Sequence, residues 1–409
     1  MLTIIRAENV IFRATGCGVK ADAFQKLTAG VHSREPVSGL THGFYRYPAR
    51  FSPLFVRAAI EAFSDPGEVV MDPFLGGATT AVEALALGRR LVGIDINSLA
   101  IFVARAKTLL LSENDLASVR RWALRAAGHV NLHAPAVRPR DWIERGYQRN
   151  LDDHRTWPIR KWLELVLHRV DRLESEERQT FARALVLHTG QWALDCRSEI
   201  PTIKNVRQRF VTALGEFVAG ARALRIEAAR HGSLVSPAFF NRSAAGIHED
   251  LAVRAQGTPR LILTSPPYPG VHVVYHRWQI LGRKETPAPF WIANSLDGNG
   301  LSYYTFGDRK QPGLRNYFET AFQAFSSISA IADSDTTVVQ MVAFSAPAWQ
   351  LPLYLETMER AGFNEVQFAE IANGDDGRVW RSVPNRKWYA DQRGAIAASK
   401  EVVLFHRKQ

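Results

Sequence analysis

The run Glu68-Val69-Val70-Met71-Asp72-Pro73-Phe74-Leu75-Gly76-Gly77 constrains this chain more than any other stretch. It reads as a short buried strand that delivers an acid, a proline and two glycines with no spacer. The period then changes: Ala81 to Leu87 predicts a helix that Gly88 stops. A second apolar run, Arg89 to Asn97, ends in Ile94-Asp95-Ile96-Asn97. Strand, glycine turn, helix and strand form the unit from which open α/β sheets are wound, with ligands at the carboxyl ends of the strands. Glycines let the backbone approach a ligand closely. An acid about twenty residues after the turn, at the tip of the second strand, can accept both hydroxyls of a ribose, and Asp95 stands there. The nicotinamide fingerprint G-x-G-x-x-G is absent. Taken alone, the unit suits a nucleotide-like cofactor, a nicotinamide oxidoreductase included, or a plain packing turn.

A second stretch narrows the chemistry. Leu261-Ile262-Leu263 predicts another buried strand, and Thr264-Ser265-Pro266-Pro267-Tyr268 closes it. Neither proline has an N–H, each has a fixed φ, and each pushes its predecessor into an extended conformation. The strand therefore ends in a stiff elbow whose carbonyls no local amide easily takes up. Such an elbow suits one problem. The exocyclic amine of cytosine or adenine is a poor nucleophile, because its lone pair is delocalised into the ring. Two acceptors holding both N–H groups orient the nitrogen and favour a more pyramidal geometry. Ser265 Oγ and the Pro266 carbonyl are the candidates, and Tyr268 is placed to stack on a base taken out of its helix. A Pro-Pro loop after any strand is the bland alternative.

Both stretches resemble motifs of the DNA amino-methyltransferases. The catalytic motif of that family is Asp/Asn/Ser-Pro-Pro-Tyr/Phe, and the Ser form with a preceding Thr looks most like the cytosine-N4 members. Asp72-Pro73-Phe74-x-Gly-x-x-Thr-Thr resembles its S-adenosylmethionine motif, usually Asp-Pro-Phe-x-Gly-Ser-Gly-Thr-Thr. Tyr47-Pro48-Ala49-Arg50-Phe51 resembles its N-terminal cofactor motif, usually Tyr-Pro-x-Arg/Lys-Phe. The resemblance implies an α/β, class I S-adenosylmethionine-dependent methyltransferase: a Rossmann-like seven-stranded sheet with helices on both faces. It implies a cofactor-binding set of Tyr47, Arg50, Phe51, Asp72, Phe74, Gly76, Gly77, Thr79, Thr80, Asp95, Ile96 and Thr264. The implied catalytic set is Ser265, Pro266, Pro267 and Tyr268. Asp72 would lie near the methionine end, Gly76 and Gly77 would face the cofactor, Asp95 would hold the ribose, and Ile96 would pack on the adenine. One position departs. Ala78 replaces the second glycine, where its methyl would crowd the methionine moiety or resist a positive φ. Alanine is the smallest replacement, and we expect it to be tolerated. It also keeps open a non-catalytic DNA-binding subunit.

The same resemblance divides the chain. Residues 42–110 and 233–409 form the catalytic domain, 1–41 an N-terminal extension, and 111–232 a helical insertion. Within the insertion, Ser112-Glu113-Asn114-Asp115 has a capping-box pattern. Helices are predicted over Trp157–Arg172, Glu174–Asp195 and Lys204–Arg230. Inserted segments in the family read the target, which makes 111–232 the candidate target-recognition region. Arg197, Lys204, Arg207 and Arg209 are candidates for phosphate contacts or for a solvated helix face. After the elbow, His272, Tyr275, His276, Arg277, Trp278, Tyr303, Tyr304, Arg309 and Lys310 interleave aromatics with cations. That mix suits an extrahelical base and a strand backbone, or a loop packed on a sheet edge. The chain then predicts a helix at Leu314–Ile331, a strand at Thr336–Phe344, a helix at Leu351–Ala361 and an antiparallel edge hairpin, Phe363–Ile371 with Glu401–His406. Arg378 to Tyr389 reads as a basic, aromatic loop near the active face. Thr3–Ile5 and Val10–Phe12 read as short strands without chemistry.

Composition sets the partners. The chain has 409 residues, 46% hydrophobic and 22% charged, which is ordinary for a globular protein. Its net charge of +11 favours a polyanion. Cys17 and Cys196 cannot make a disulfide framework or a zinc site, which fits a reduced, cytoplasmic setting. No cluster has metal-ligand spacing, and neither a membrane span nor a signal-peptide pattern is visible. The expected activity moves the methyl of S-adenosylmethionine onto the N4 amine of a flipped cytosine in double-stranded DNA. The family suggests a bacterial, nucleoid-associated role in restriction-modification or epigenetic marking, with a cognate restriction endonuclease as a possible partner. Ser265 in place of the Asp common among adenine enzymes favours cytosine. Adenine N6 and an RNA base amine stay as alternatives.

Overall fold

The computed structural model describes residues 21–47, 51–134, 140–232, 235–269, 277–282, 284–298, 306–307, 312–382 and 400–409. Strand β1 (Val69–Asp72) runs parallel to β2 (Arg90–Asp95) on one side and to β4 (Leu261–Thr264) on the other. Strands β3 (Ala238–Asn241) and β7 (Thr337–Ala343) extend the parallel sheet outward, pairing with β2 and β4. Every residue of β1, β4 and β7 is buried, as expected where helices cover both faces of a parallel sheet.

The far end of the sheet reverses direction. β10 (Lys400–Lys408) enters antiparallel between β7 and β8 (Phe363–Val366), giving the order β3-β2-β1-β4-β7-β10-β8. These seven strands are the class I methyltransferase sheet that the resemblance implies. An eighth strand was not foreseen. β9 (Val379–Ser382) pairs with β10 beyond the end of β8, in the stretch read as a loop. Its cations and aromatics hid it, yet Val379 is buried and Arg381 faces Glu401 across the ladder. The expected Phe363–Ile371 strand is shorter: its pairing with β10 ends at Val366, though Phe368 still meets Phe405 edge-on at 5.1 Å.

One face of the sheet is covered by α1 (Ala21–His32), α2 (Pro53–Phe63) and α3 (Thr79–Ala86), with Leu27, Phe55, Ala81 and Ala84 in one core. Helix α1 lies in the stretch given no helix from sequence. A Cβ on Gly30 would sit 2.6 Å from Phe55 Cα, so α1 and α2 approach at glycine. The other face carries α10 (Leu251–Arg254), α12 (Arg315–Ser329) and α13 (Pro347–Arg360), with Phe325, Tyr354 and Met358 fully buried.

Helix α4 (Ser98–Lys107) belongs to two cores. Ile101 and Ala104 join the sheet, while Leu99, Ala100 and Val103 join a helical body. That body comprises α5 (Glu113–His129), α6 (Arg140–Glu144), α7 (Trp157–Val170), α8 (Glu176–Leu194) and α9 (Ile203–Arg230). The capping box opens α5: Ser112 Oγ accepts from the Asp115 amide, and Asp115 Oδ2 accepts from the Ser112 amide at 3.1 Å. Trp162 meets Phe210 edge-on at 5.3 Å, and Phe44 stacks on Phe217 at 3.9 Å. The body also takes in a hairpin, β5 (Trp278–Ile280) with β6 (Lys284–Thr286), and α11 (Ala288–Ala293). Trp278, read among the DNA-facing aromatics, is therefore core: it is 1% exposed and donates Nε1 to Tyr45 OH at 3.2 Å.

Candidate active site at the strand tips

Parallel pairing of β1 with both β2 and β4 brings Asp72, Asp95 and Thr264 to the same edge of the sheet. Thr264 Oγ1 donates to Asp72 Oδ1 at 2.7 Å, and the Phe74 amide donates to the same oxygen at 3.2 Å. Asp72 is 3% exposed. Burial pushes its carboxyl up to about 6, against the pull of those hydrogen bonds. Asp95 is braced from the turn and from the start of α4. The Gly76 amide donates to Oδ2 and the Asn97 amide to Oδ1, each at 2.8 Å. Burial raises this carboxyl to about 6 as well; the two amides lower it and the Asp72 charge raises it.

The glycine turn is shaped by its neighbours. Gly76 has φ +45°, and a Cβ there would approach Tyr47 Cε1 to 3.6 Å. The Gly77 carbonyl accepts from Lys107 Nζ at 2.8 Å. Ala78 adopts φ 61° and ψ 30°, the left-handed conformation for which glycine is the usual residue. Its methyl is fully buried in the core under α3. Ala78 thus takes the positive φ that the sequence flagged as unfavourable for a residue with a Cβ. Thr79 and Thr80 are buried at the amino end of α3.

Tyr47 closes the site from the chain's amino-terminal side. Its hydroxyl accepts from Asn97 Nδ2 at 3.1 Å. Gln191 of α8 clamps the adjacent backbone, accepting from the Arg46 amide at 3.0 Å and donating to the Arg46 carbonyl at 2.9 Å. Two implied cofactor residues point into packing. Phe51 is buried edge-on against Phe55, and Phe74 meets Phe325 at 6.0 Å on the opposite face of the sheet. Ile96 lies half-buried just past the β2 tip. Arg50 lies outside the described residues, with Pro48 and Ala49.

The elbow stands one strand away. Ser265 and Tyr268 are half-buried, and Ser265 Oγ donates to Tyr268 OH at 3.1 Å. Tyr268 OH donates in turn to Glu401 Oε1 at 2.9 Å. Tyr317 OH donates to the Pro267 carbonyl at 2.7 Å. Among the described residues no hydrogen bond reaches the Pro266 carbonyl, one of the two acceptors expected from sequence. Sequence reasoning missed Tyr317 and Glu401, and it placed Arg381 near the active face only as part of a loop, not as the strand partner of Glu401. All three are brought here by tertiary pairing.

The basic candidates of the helical body are largely engaged. Arg209 forms two hydrogen bonds to the Glu216 carboxylate, at 2.8 and 2.9 Å, and Arg207 donates to the Val130 carbonyl. Arg197 lies over the Trp192 ring, 4.9 Å from its centroid. Lys204 is exposed. Asp195 accepts from Arg46 at 3.4 Å and from the Gln279 amide at 3.1 Å. His272, Tyr275, His276, Tyr303, Tyr304, Arg309, Lys310 and residues 383–389 lie outside the described residues. Among the described residues there is no group of three His, Cys, Asp or Glu able to hold a metal, and no helix is long and apolar enough to cross a membrane.

This sheet, with an acid-tipped β2 beside a glycine turn, defines a class I methyltransferase fold, whose cofactor is S-adenosylmethionine. The residues present fit that molecule. Asp95 keeps lone pairs for two hydroxyl donors after taking one amide on each oxygen. At Gly76 the turn leaves a cradle that a side chain would fill against Tyr47. The family model described as DNA methylase matches residues 24–104. The DNA adenine methyltransferase YhdJ of Escherichia coli is 36% identical over 74 residues, 18% of this chain and 25% of that protein. The type II methyltransferase M.MjaII of Methanocaldococcus jannaschii is 32% identical over 66 residues, 16% of this chain and 12% of that protein. The chain thus spans a quarter or less of the length of these curated relatives. A solved structure, the rRNA methyltransferase aviRa of Streptomyces viridochromogenes, aligns with 91% of this chain and 94% of that one, with TM-score 0.37 and 11% identity. Over residues 24–104 the chain is thus similar to the DNA methylase family, and over short segments to named DNA methyltransferases. The elbow Thr264–Tyr268 lies outside the residues that the family model matches.

Proposed function

We propose that this protein transfers the methyl group of S-adenosylmethionine to the exocyclic N4 amine of a cytosine flipped out of double-stranded DNA. The observation that carries the reading is the 2.7 Å bond from Thr264 to Asp72, which locks the elbow to the strand that bears the cofactor turn. The bound cofactor supplies an electrophilic methyl on a sulfonium. Asp95 and the Gly76 turn hold it, with Tyr47 as the wall. Ser265 Oγ and the Pro266 carbonyl accept the two N–H groups of the target amine and orient its nitrogen, while Tyr268 stacks on the base. Methyl transfer to an amine depends on positioning more than on a strong base. The amine is paired inside a duplex, so the base has to be extruded.

Cytosine is favoured by Ser265 at the first elbow position. One observation supports adenine N6 as a second reading: a relative named as an adenine enzyme is 36% identical over 74 residues. The helical body, residues 111–232, is the proposed target-recognition region. A restriction-modification role with a nuclease partner fits a relative named as a type II methyltransferase.

The test is tritium transfer from labelled cofactor to DNA and to RNA, followed by nucleoside analysis. Labelled N4-methylcytosine in DNA is expected; N6-methyladenine would move the target base. Label in RNA alone, or no transfer by a protein that binds the cofactor, would overturn the reading. Ser265→Ala and Tyr268→Ala should each lower transfer by about 10²-fold or more, on the scale of a lost polar contact to the reacting group. Calorimetric cofactor affinity should stay close to wild type in both.

A further inference from the structure

We infer that Glu401 is a positioning residue for the amine site: acting through Tyr268, it sets the direction of the hydrogen bonds that make Ser265 an acceptor. The inference rests on the methyltransferase reading above.

A hydroxyl has one proton to give and two lone pairs to receive. For Ser265 to take an N–H of the target amine, its own proton has to point elsewhere. Ser265 Oγ lies 3.1 Å from Tyr268 OH, and Tyr268 OH lies 2.9 Å from Glu401 Oε1. A pair of hydroxyls has no built-in polarity, because either can donate. A carboxylate at the end of the chain removes that freedom, since it can only accept. Tyr268 must spend its proton on Glu401. Its oxygen is then left to receive the Ser265 proton, and the lone pairs of Ser265 are left for the amine.

The carboxylate is held firmly enough to act this way. Arg381 Nε donates to Glu401 Oε2 at 2.7 Å, and the two residues are direct partners in the β9–β10 register. Their side chains are 9% and 6% exposed, so the charge-assisted pair is shielded from water. Topology explains how it reaches the site. β10 runs against the parallel strands, so its amino end lies at their carboxyl edge, with Glu401 opposite Ala343 at the end of β7. The antiparallel strand thereby brings a carboxylate to the rim where the elbow lies.

The experiment measures kcat, KM for DNA and calorimetric cofactor affinity for Glu401→Gln, Glu401→Asp and Tyr268→Phe. In Glu401→Gln the guanidinium of Arg381 draws the amide oxygen and turns the NH₂ toward Tyr268. The chain then reverses, and the Ser265 proton faces the amine. We expect kcat to fall about 30-fold or more, with KM and cofactor affinity within about threefold of wild type. Glu401→Asp keeps an acceptor-only group and should retain more activity than the glutamine variant. Tyr268→Phe leaves the Glu401–Arg381 pair whole and cuts the chain, so it should lose kcat at a nearly unchanged melting temperature. Adding Glu401→Gln to Tyr268→Phe should then cost nothing further, because the two act as one unit. Wild-type kcat in folded Glu401→Gln, wild-type kcat in Tyr268→Phe, or fully additive losses in the double variant would overturn the inference while the methyltransferase reading stands. No transfer by the wild-type protein would sink both.

Discussion

Asp72 and Asp95 show at single-residue scale how burial at the proposed cofactor site bears on stability. Burial raises the Asp72 carboxyl from 3.8 to about 6, a difference worth ~3 kcal/mol. The folded-state value lies above the unfolded one. The associated stability is therefore complete below pH 4 and is lost as pH rises through about 6. Asp95 follows the same sign. What the free protein loses on ionisation a ligand with hydroxyl donors recovers, because an ionised acceptor binds them more strongly. S-adenosylmethionine should therefore raise the melting temperature more at pH 7.5 than at pH 5, with the change centred near 6. Asp95→Asn should flatten that dependence; a pH-independent shift in the wild type would remove Asp95 from the binding role. Ala78 is the other informative residue. Its left-handed backbone costs roughly 1–2 kcal/mol for a residue with a Cβ. Burying the methyl and stiffening the unfolded chain recover about as much. Ala78→Gly should thus be nearly neutral in chemical denaturation. Ala78→Val, β-branched in a left-handed and fully buried position, should lose at least ~2 kcal/mol.

At the scale of elements, helix α9 separates propensity from packing. It carries Gly215 and Gly220, and propensity alone would favour alanine at both by about 1 kcal/mol. The surroundings differ. A Cβ on Gly215 meets nothing within 4 Å, whereas a Cβ on Gly220 would lie 2.2 Å from the Leu40 carbonyl oxygen. Gly215→Ala should stabilise by up to ~1 kcal/mol, and Gly220→Ala should destabilise by ~2 kcal/mol or more. Urea titrations of the two variants check both, and equal effects would contradict this helix packing. The same distinction explains what the sequence could tell. Strand tips were legible, because Asp72, Gly76, Asp95 and the Pro-Pro elbow combine special backbone demands with side-chain chemistry in a few adjacent positions. Helix ends were legible where a cap sat in the chain, as at Ser112 and Asp115. β9 was not, because its partner β10 lies about twenty residues on and the cation Arg381 is buried only through that pairing. Trp278 was misread for a related reason: an aromatic beside cations looks like a nucleic-acid contact until the helix that covers it, α8, is in place. Glu401 gave no local signal, since its meaning comes from the strand running antiparallel. α1 left a faint one, the spacing of Phe24, Leu27 and Val31 on one face.

At the scale of the whole molecule, the excess of positive charge needs a destination. Many arginines already serve the fold: Arg57, Arg160, Arg178, Arg183, Arg209, Arg378 and Arg381 are paired with carboxylates. The paired charges cancel in the sum, so the net +11 resides in other cations. If those face DNA, association releases counterions from the duplex, and log K should fall linearly with log salt by about 0.9 per phosphate neutralised. A footprint of about five phosphates gives a slope near −4.5, a loss of several hundredfold between 50 and 200 mM salt. Cofactor affinity should barely move over the same range, because short hydrogen bonds to half-buried groups are little screened. Fluorescence anisotropy with a duplex of arbitrary sequence, beside calorimetry with the cofactor, compares the two directly. A steep DNA slope with a flat cofactor response would assign the basic surface to the polymer. A flat DNA response would mean that the charge faces elsewhere, and the helical body would then lose its electrostatic claim to be the DNA-reading part of the molecule.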